Sequence, residues 1–435
     1  MHANLSVFSL LTLQGNVCQP TEDSRDLPGN TATVMVQGPP VAIPTNSGGS
    51  TGIVPISRNG IVIDKAYIAV PSSGAIAVLN ADASASTPPL TDISMPAGYS
   101  PTATAANPVS LQVFVISYTS PIVVLIDAQS DSVMGTITLP VKDNQGFSGG
   151  ACTVCGVVAD PVANQAIFDT ADGYFVFDVK SNQIVQSISD HTAENFGYNP
   201  FTRQLLNPFY GAPFFSPVHG VDVIDLGANS VSPIGNIPST VFKPDSAALD
   251  YTTNVAVVAN EAEAIPTGVL AFLNLEGATS TGAQVNVPLA TYTFPDATNF
   301  CSGGSDSSEW TMLAIDAATH LLFFANEFSD CAGVLNLPPV GSDGVPQAAS
   351  TVRFGELPTS PDGQAWANSL DPHGTAVFVS VVDGHSYGFL IRRDAHYVAR
   401  IDLQRLFEAQ VLTGTQNVVD LHSIVVFLPT LPNEP

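Results

Sequence analysis

The chain has 435 residues, 45% of them hydrophobic, which is ample for a large buried core and excludes wholesale disorder. Only 11% are charged, and 38 acids against 12 bases leave a formal net charge of −26, a field that repels phosphates and anionic headgroups and excludes nucleic acid as a partner. A surface whose solubility rests on hydroxyls, amides and an acidic excess points to a secreted, periplasmic or cell-surface protein.

In chain order, residues 1–50 form an N-terminal extension outside the pattern that follows. Residues 4–13 carry an apolar run (Leu5, Val7, Phe8, Leu10, Leu11, Leu13) with no Lys or Arg before it, and read first as a strand, with a leader remnant as the alternative. Cys18 follows Gly15-Asn16-Val17, a loose likeness to a lipoprotein cleavage site in which Val17 stands at a small-residue position; a free, lipidated or intermolecularly paired Cys18 all remain open. Residues 31–36 read as a strand that helps close the structure beside its last unit. No stretch approaches the roughly 20 apolar residues of a membrane helix.

From residue 51 to 430, short runs of Val, Ile, Phe and Ala alternate with Gly, Pro, Asn, Asp and Ser, which predicts an all-β chain. The runs repeat as a four-part phrase. An apolar strand ends in Asp or Asn and turns into a second strand: Gly156-Val-Val-Ala-Asp160 to Gln165-Ala-Ile-Phe-Asp169, Phe196-Gly-Tyr-Asn199 to Gln204-Leu-Leu-Asn207, Ala247-Ala-Leu-Asp250 to Val255-Ala-Val-Val-Ala-Asn260, Met312-Leu-Ala-Ile-Asp316 to Leu321-Leu-Phe-Phe-Ala-Asn326, and Asn368-Ser-Leu-Asp371 to Ala376-Val-Phe-Val-Ser380. The Asp or Asn suits the turn because its side chain accepts hydrogen bonds from the turn backbone. Third strands recur at 76–80, 122–127, 174–178, 221–225, 269–274 and 397–402. Closing strands end at Pro96, Pro140, Pro238, Pro295, Pro358 and Pro429, with 184–189 the one that lacks Pro. Seven closings of four-stranded units, each about 40 to 50 residues long, predict a single β-propeller of seven four-stranded blades over 51–430, followed by a tail at 431–435. One helix interrupts it, where Leu403, Leu406, Phe407 and Val411 fall near helical spacing.

At these phrases the chain resembles the YVTN/NHL type of bacterial β-propeller, whose repeat is an apolar strand, a D-P turn and two further apolar strands closing on Asn and Asp. The resemblance guides fold rather than function, since propellers host unrelated activities.

Loops that enter first strands crowd one mouth of a propeller channel. Glu194, Asn195, Asp245, Asn260, Glu261, Asn326 and Glu327 stand at such places, and calcium-dependent propeller lactonases hold a cation there with hard oxygen ligands, so calcium is the cofactor to test for. The alternative is that these are solvated loop acids. Glu194 and Asp245 share one offset from the strand ends and Glu261 and Glu327 another, which suggests that the two pairs face opposite mouths.

Gly146-Phe-Ser148-Gly-Gly150 matches a nucleophile elbow in letters but not in context, and reads as a loop between blades. Asp169-Thr-Ala-Asp172-Gly173 reads as a hairpin turn. His373, His385 and His396 each lie beside an acid in turn chemistry, and Trp310 and Trp366 precede first strands, where they either present a stacking surface or pack between blades.

Cys301 and Cys331 bracket one hairpin and are expected to be bridged, and Cys152 and Cys155 are a second expected pair, both favouring an oxidising compartment. No compact catalytic motif is present. The first functional reading is a non-catalytic binding or scaffold module that takes a protein, glycan or small molecule at the channel mouth. The alternatives are a calcium-dependent hydrolase of lactonase type and a self-assembling subunit of an extracellular surface.

Overall fold

In the computed structural model the described residues are 52–58, 61–84, 87–141, 152–191, 193, 195–210, 219–241, 244–260, 268–278, 280–294, 310, 312–326, 329–349, 351–363, 375–380, 383–391, 396–415 and 417–430, with the backbone alone described at 52–58, 61–63, 210, 245, 378 and 379. They form seven four-stranded antiparallel sheets, each built from consecutive strands. Blade 1 runs from Gly52–Arg58 through Ile61–Val70 and Ala75–Asn80 to Thr91–Ser94, and blade 2 from Ala103–Asn107 through Gln112–Ser117 and Ser120–Asp127 to Ser132–Thr138. Blade 3 comprises Val154–Asp160, Gln165–Thr170, Gly173–Asp178 and Gln183–Ile188; blade 4 comprises Gly197–Asn199, Gln204–Tyr210, His219–Asp225 and Ser230–Pro233. Blade 5 is Pro244–Asp250, Val255–Asn260, Val269–Asn274 and Leu289–Thr293, and blade 6 is Met312–Asp316, Leu321–Ala325, Cys331–Asn336 and Val352–Glu356. Blade 7 holds Thr375–Val379, Ser386–Leu390, Tyr397–Asp402 and Val425–Pro429.

The core is a set of seams between blades. Seven clusters of buried apolar side chains each draw on two neighbouring blades, and the one that joins Ala66, Ile68 and Leu79 of blade 1 to Ala376, Phe389 and Val398 of blade 7 closes the ring. Inner strands therefore bury both faces and read as unbroken apolar runs, as Val255–Asn260 and Val269–Asn274 do. Outer strands are edges with one wet face, and Gln183–Ile188 alternates accordingly.

The hairpin between first and second strands is one device used repeatedly. Asn107, Asp160, Asn199 and Asp250 each accept from backbone N–H groups two and three residues on, at 2.8 to 3.4 Å. These four turns and the Asp316 turn each end in a left-handed residue: Leu111, Asn164, Arg203, Asn254 and His320 have φ between 54° and 58°. The same groups latch blade to blade. Asn107 Nδ2 donates to Asn164 Oδ1 at 3.1 Å, Asn199 Nδ2 to Asn254 Oδ1 at 2.9 Å, and His320 Nδ1 lies 2.7 Å from Asp250 Oδ2. Tyr198 donates to Asp160 Oδ2 at 2.6 Å, Ser386 bonds Asp316, and Arg400 of blade 7 donates to the Ala81 carbonyl of blade 1.

The helix α1 spans Leu403–Glu408, shorter than its apolar spacing suggests, with Asp402 capping Arg405 N at 3.0 Å. In blade 7, Thr375–Val379 stands at the inner end of the described sheet, beside the first strand of blade 6, and pairs with Ser386–Leu390. The sequence reading placed this strand second; residues 368–372, which it placed first, lie outside the described residues. Ser380 ends the strand in place of an Asp, with Asp383 and Gly384 making the turn, so the Asp-Pro signal that marks other first strands is missing here.

Candidate functional site

Antiparallel order gives the ring two different faces. First-to-second connections, which are short, and third-to-fourth connections, which are long in blades 1, 5, 6 and 7, lie on one, the turn face. Second-to-third connections and the links between blades lie on the other, the loop face.

Of the residues that the sequence put forward as cation ligands, Asn195, Asn260 and Asn326 lie among the described side chains, on the loop face. Pro244 pairs with Asn260 across the first hairpin of blade 5, so starts of first strands and ends of second strands share a face; the expectation of opposite mouths is corrected by this pairing. Asn195 is buried and bridges to Ser246 of blade 5, its carbonyl accepting from Ala247 N at 3.0 Å. Asn260 is buried, and its Oδ1 accepts from Val269 N at 2.7 Å. Asn326 is buried at the end of its strand and donates from its backbone to the Cys331 carbonyl. Glu194, Glu261 and Glu327 lie outside the described residues, and Asp245 is described by its backbone alone. Among the described residues, no three His, Cys, Asp or Glu side chains converge as metal ligands would.

A different cluster on this face was not singled out from sequence. Residues 188–190, leaving blade 3, cross the Thr170–Gly173 hairpin so closely that a Cβ on Gly173 would stand 2.2 Å from the Ile188 carbonyl oxygen; glycine, at φ +104°, is required there. This crossing sets Asp190 against the middle strands of blade 4, beside Asn207. Asn207, fully buried, donates from Nδ2 to Asp190 Oδ2 at 2.8 Å and to the His191 carbonyl at 2.9 Å. Asp222 faces Asn207 across the blade 4 ladder and shares a side-chain hydrogen bond with Asp190.

Burial, reinforced by the Asp190 charge, pushes the Asp222 carboxyl up to about 7. Burial also holds Asp169 well above the usual carboxylate range, although its Oδ2 accepts from Ala193 N at 2.9 Å. The Tyr174 hydroxyl is raised by burial and then by the charges of Asp169, Asp190 and Asp222. Asp169 Oδ1, the Tyr174 hydroxyl and Asn207 Oδ1 are buried with no hydrogen-bond partner among the described residues. At the rim, the exposed His191 ring stacks on Phe209 with centroids 4.2 Å apart. The readable signal was Asp222 itself, an acid inside the apolar run Val221-Asp-Val-Ile, where the strand period calls for a buried side chain.

Other candidates fall elsewhere. Trp310 is buried, stacked on Phe294 at 4.7 Å and edge-on to Phe324 and Phe354, so it packs between strands rather than offering a stacking surface. His385 Nδ1 lies 3.0 Å from Asp402 Oδ2, and His396 Nδ1 lies 3.9 Å from Asp362 Oδ2. His373, Trp366 and residues 146–150 lie outside the described residues. The 169–173 segment is the tight hairpin its letters suggest. Cys152 and Cys155 are joined, S–S 1.97 Å, at the entry to blade 3. Cys331 is disulfide-bonded to a cysteine outside the described residues, where Cys18 and Cys301 both lie. No helix among the described residues is long and apolar enough to cross a membrane.

No family model and no curated protein matches the chain. Solved structures do. A chain of the hydrazine synthase of Kuenenia stuttgartiensis matches with TM-score 0.54 at 14% identity, over 82% of this chain and 97% of that one. The WD40 domain of Toxoplasma gondii coronin matches with TM-score 0.52 at 9% identity, over 83% and 82%. The β-propeller domain of Cps50 (Swd1) from Myceliophteria thermophila matches with TM-score 0.50 at 9% identity, over 74% and 90%. The likeness is one of fold. The chain is a seven-bladed β-propeller.

Proposed function

We propose that this propeller, of YVTN/NHL repeat type, is a secreted or cell-surface binding module without catalytic activity, and that it binds through its loop face. The observation that carries the reading is the group of buried polar atoms on the loop face that have no partner among the described residues. On the turn face Asn107, Asp160, Asn199 and Asp250 cap turns or latch blades, while Ser110 Oγ, Gln112 Oε1 and Gln204 Oε1 are also buried there with no partner among the described residues. On the loop face, buried polar atoms such as Asp169 Oδ1, Asn207 Oδ1 and Asn260 Nδ2 have no partner among the described residues, and a ligand supplies what buried polar atoms require. The Cys152–Cys155 bridge and the bonded Cys331 support an oxidising compartment.

The test uses glycan and peptide arrays. A loop-face variant carries Ser73→Arg, Thr119→Arg and Thr359→Arg; a turn-face variant carries Gln129→Arg, Ser181→Arg and Ala228→Arg, all at exposed positions. Array binding is expected to fall in the first and persist in the second, and the reverse would overturn the reading. The calcium-dependent lactonase alternative draws on Asn195, Asn260 and Asn326 sharing the loop face. Lactone hydrolysis at background with and without added calcium is the expected result, whereas calcium-stimulated turnover would promote that alternative.

A further inference from the structure

We infer that the Asp190–Asp222 carboxyl pair and the buried amide oxygen of Asn207 form a binding site for an organic cation, a primary ammonium or guanidinium, carried by a small amine or by a Lys or Arg side chain of a protein partner. The site lies on the loop face and deepens the reading of that face as the binding surface.

Three observations point to this ligand class. Asn207 is fully buried and its Nδ2 is spent on Asp190 and the His191 carbonyl, while Oδ1 on the same amide has no partner among the described residues. It is a buried acceptor beside the pair whose capacity the described residues leave unmet, and leaving such a group unmet is costly. Next, the charged neighbours that act on Asp169, Tyr174 and Asp222 are all carboxylates, so among the described residues the cluster has no counter-ion of its own. Finally, the acids do not converge closely enough to hold a bare metal ion, whereas a planar guanidinium or an ammonium with several N–H donors can bridge separated acceptors. The stacked His191 and Phe209 rings at the rim offer a flat surface on which a guanidinium can lie. A net charge of −26 draws such ligands in.

The titratable groups facing the pair are Asp169 and Tyr174 from blade 3 and His191 from the crossing segment. As the pair loses its shared proton on passing upward through about pH 7, its charge grows, so cation affinity rises with pH.

Calorimetric titration of agmatine into the full-length protein at low salt tests the site. Saturable 1:1 binding is expected above the pair's transition, at least tenfold weaker in Asp222→Asn and in Asp190→Asn and unchanged in the turn-face variant Asp225→Asn. Affinity should fall at least fivefold below the transition, and His191→Gln should keep that pH dependence. Unchanged melting curves certify that the isosteric variants are folded, and if one is not, the other carries the comparison. Absence of saturable binding, equal affinity in both variants, or equally tight binding of neutral sorbitol or of calcium chloride would overturn the inference. The capped peptide acetyl-Gly-Arg-Gly-amide separates the two sources: binding tenfold tighter than agmatine assigns the cation to a protein side chain, and weaker binding assigns it to a small amine. The array variants leave this cluster untouched. Failure of agmatine alongside loop-face-dependent array binding would therefore remove this site while the loop-face reading stands.

Discussion

A carboxyl group inside an apolar strand must either keep a proton or find a positive partner, and Asp222 does the first by sharing a hydrogen bond with Asp190. Its folded value of about 7 stands above that of an unfolded aspartate, so the native state holds the extra proton between the two. The stability tied to this proton is complete below about pH 4 and is lost as pH rises through about 7. Asp222→Asn cannot lose it. From about pH 5 to 8 the melting temperature of the variant should therefore decline less than that of the wild type, with the variant the more stable at the upper end. Thermal melts across that range decide the matter, and parallel curves would refute the shared-proton account.

The repeating element is the hairpin whose Asp or Asn both caps its own turn and reaches the next blade. Asp250 is the fullest example: Oδ1 accepts from Thr252 N, Thr252 Oγ1 and Thr253 N, and Oδ2 meets His320 of blade 6. Asp250→Ala removes all of these from a fully buried position and should cost about 2 to 4 kcal/mol in urea unfolding. A loss below about 0.5 kcal/mol would show the latch to be incidental. Legibility at this scale followed the chemistry of the turn. Where Asp or Asn was present the strand order was readable, and where Ser380 replaced it the first strand of blade 7, Thr375–Val379, was read as its second.

For the molecule as a whole, each blade covers a face of its neighbours, so stability belongs to the ring and the seam between blades 7 and 1 completes it. Arg400 stands at that seam, donating to the Ala81 carbonyl with its guanidinium 4.8 Å from the Tyr387 ring centre and its charge acting on Asp82. Arg400→Ala should raise hydrogen exchange first in the strands Ala75–Asn80 and Tyr397–Asp402, ahead of the far side of the ring. Uniform acceleration in all blades would indicate that the seam is no weaker than the rest.

The sequence by itself determined the strands, their grouping in fours and the number of blades, because apolar runs and Asx turns are local and repeat along the chain. It also singled out Asn195, Asn260 and Asn326, though not as companions on one face. Tertiary structure alone decided what depends on contacts between distant segments: that antiparallel pairing unites starts of first strands with ends of second strands, and that Trp310 packs among Phe294, Phe324 and Phe354. The Asp190–Asp222 pair belongs to this second kind. Its members are 32 residues apart in a strongly acidic chain; Asp222 stands out locally as an acid inside an apolar strand, but nothing in the pattern around Asp190 marks it as the partner until the crossing over Gly173 brings them together. Proximity and burial made that pair, and both are properties of the ring.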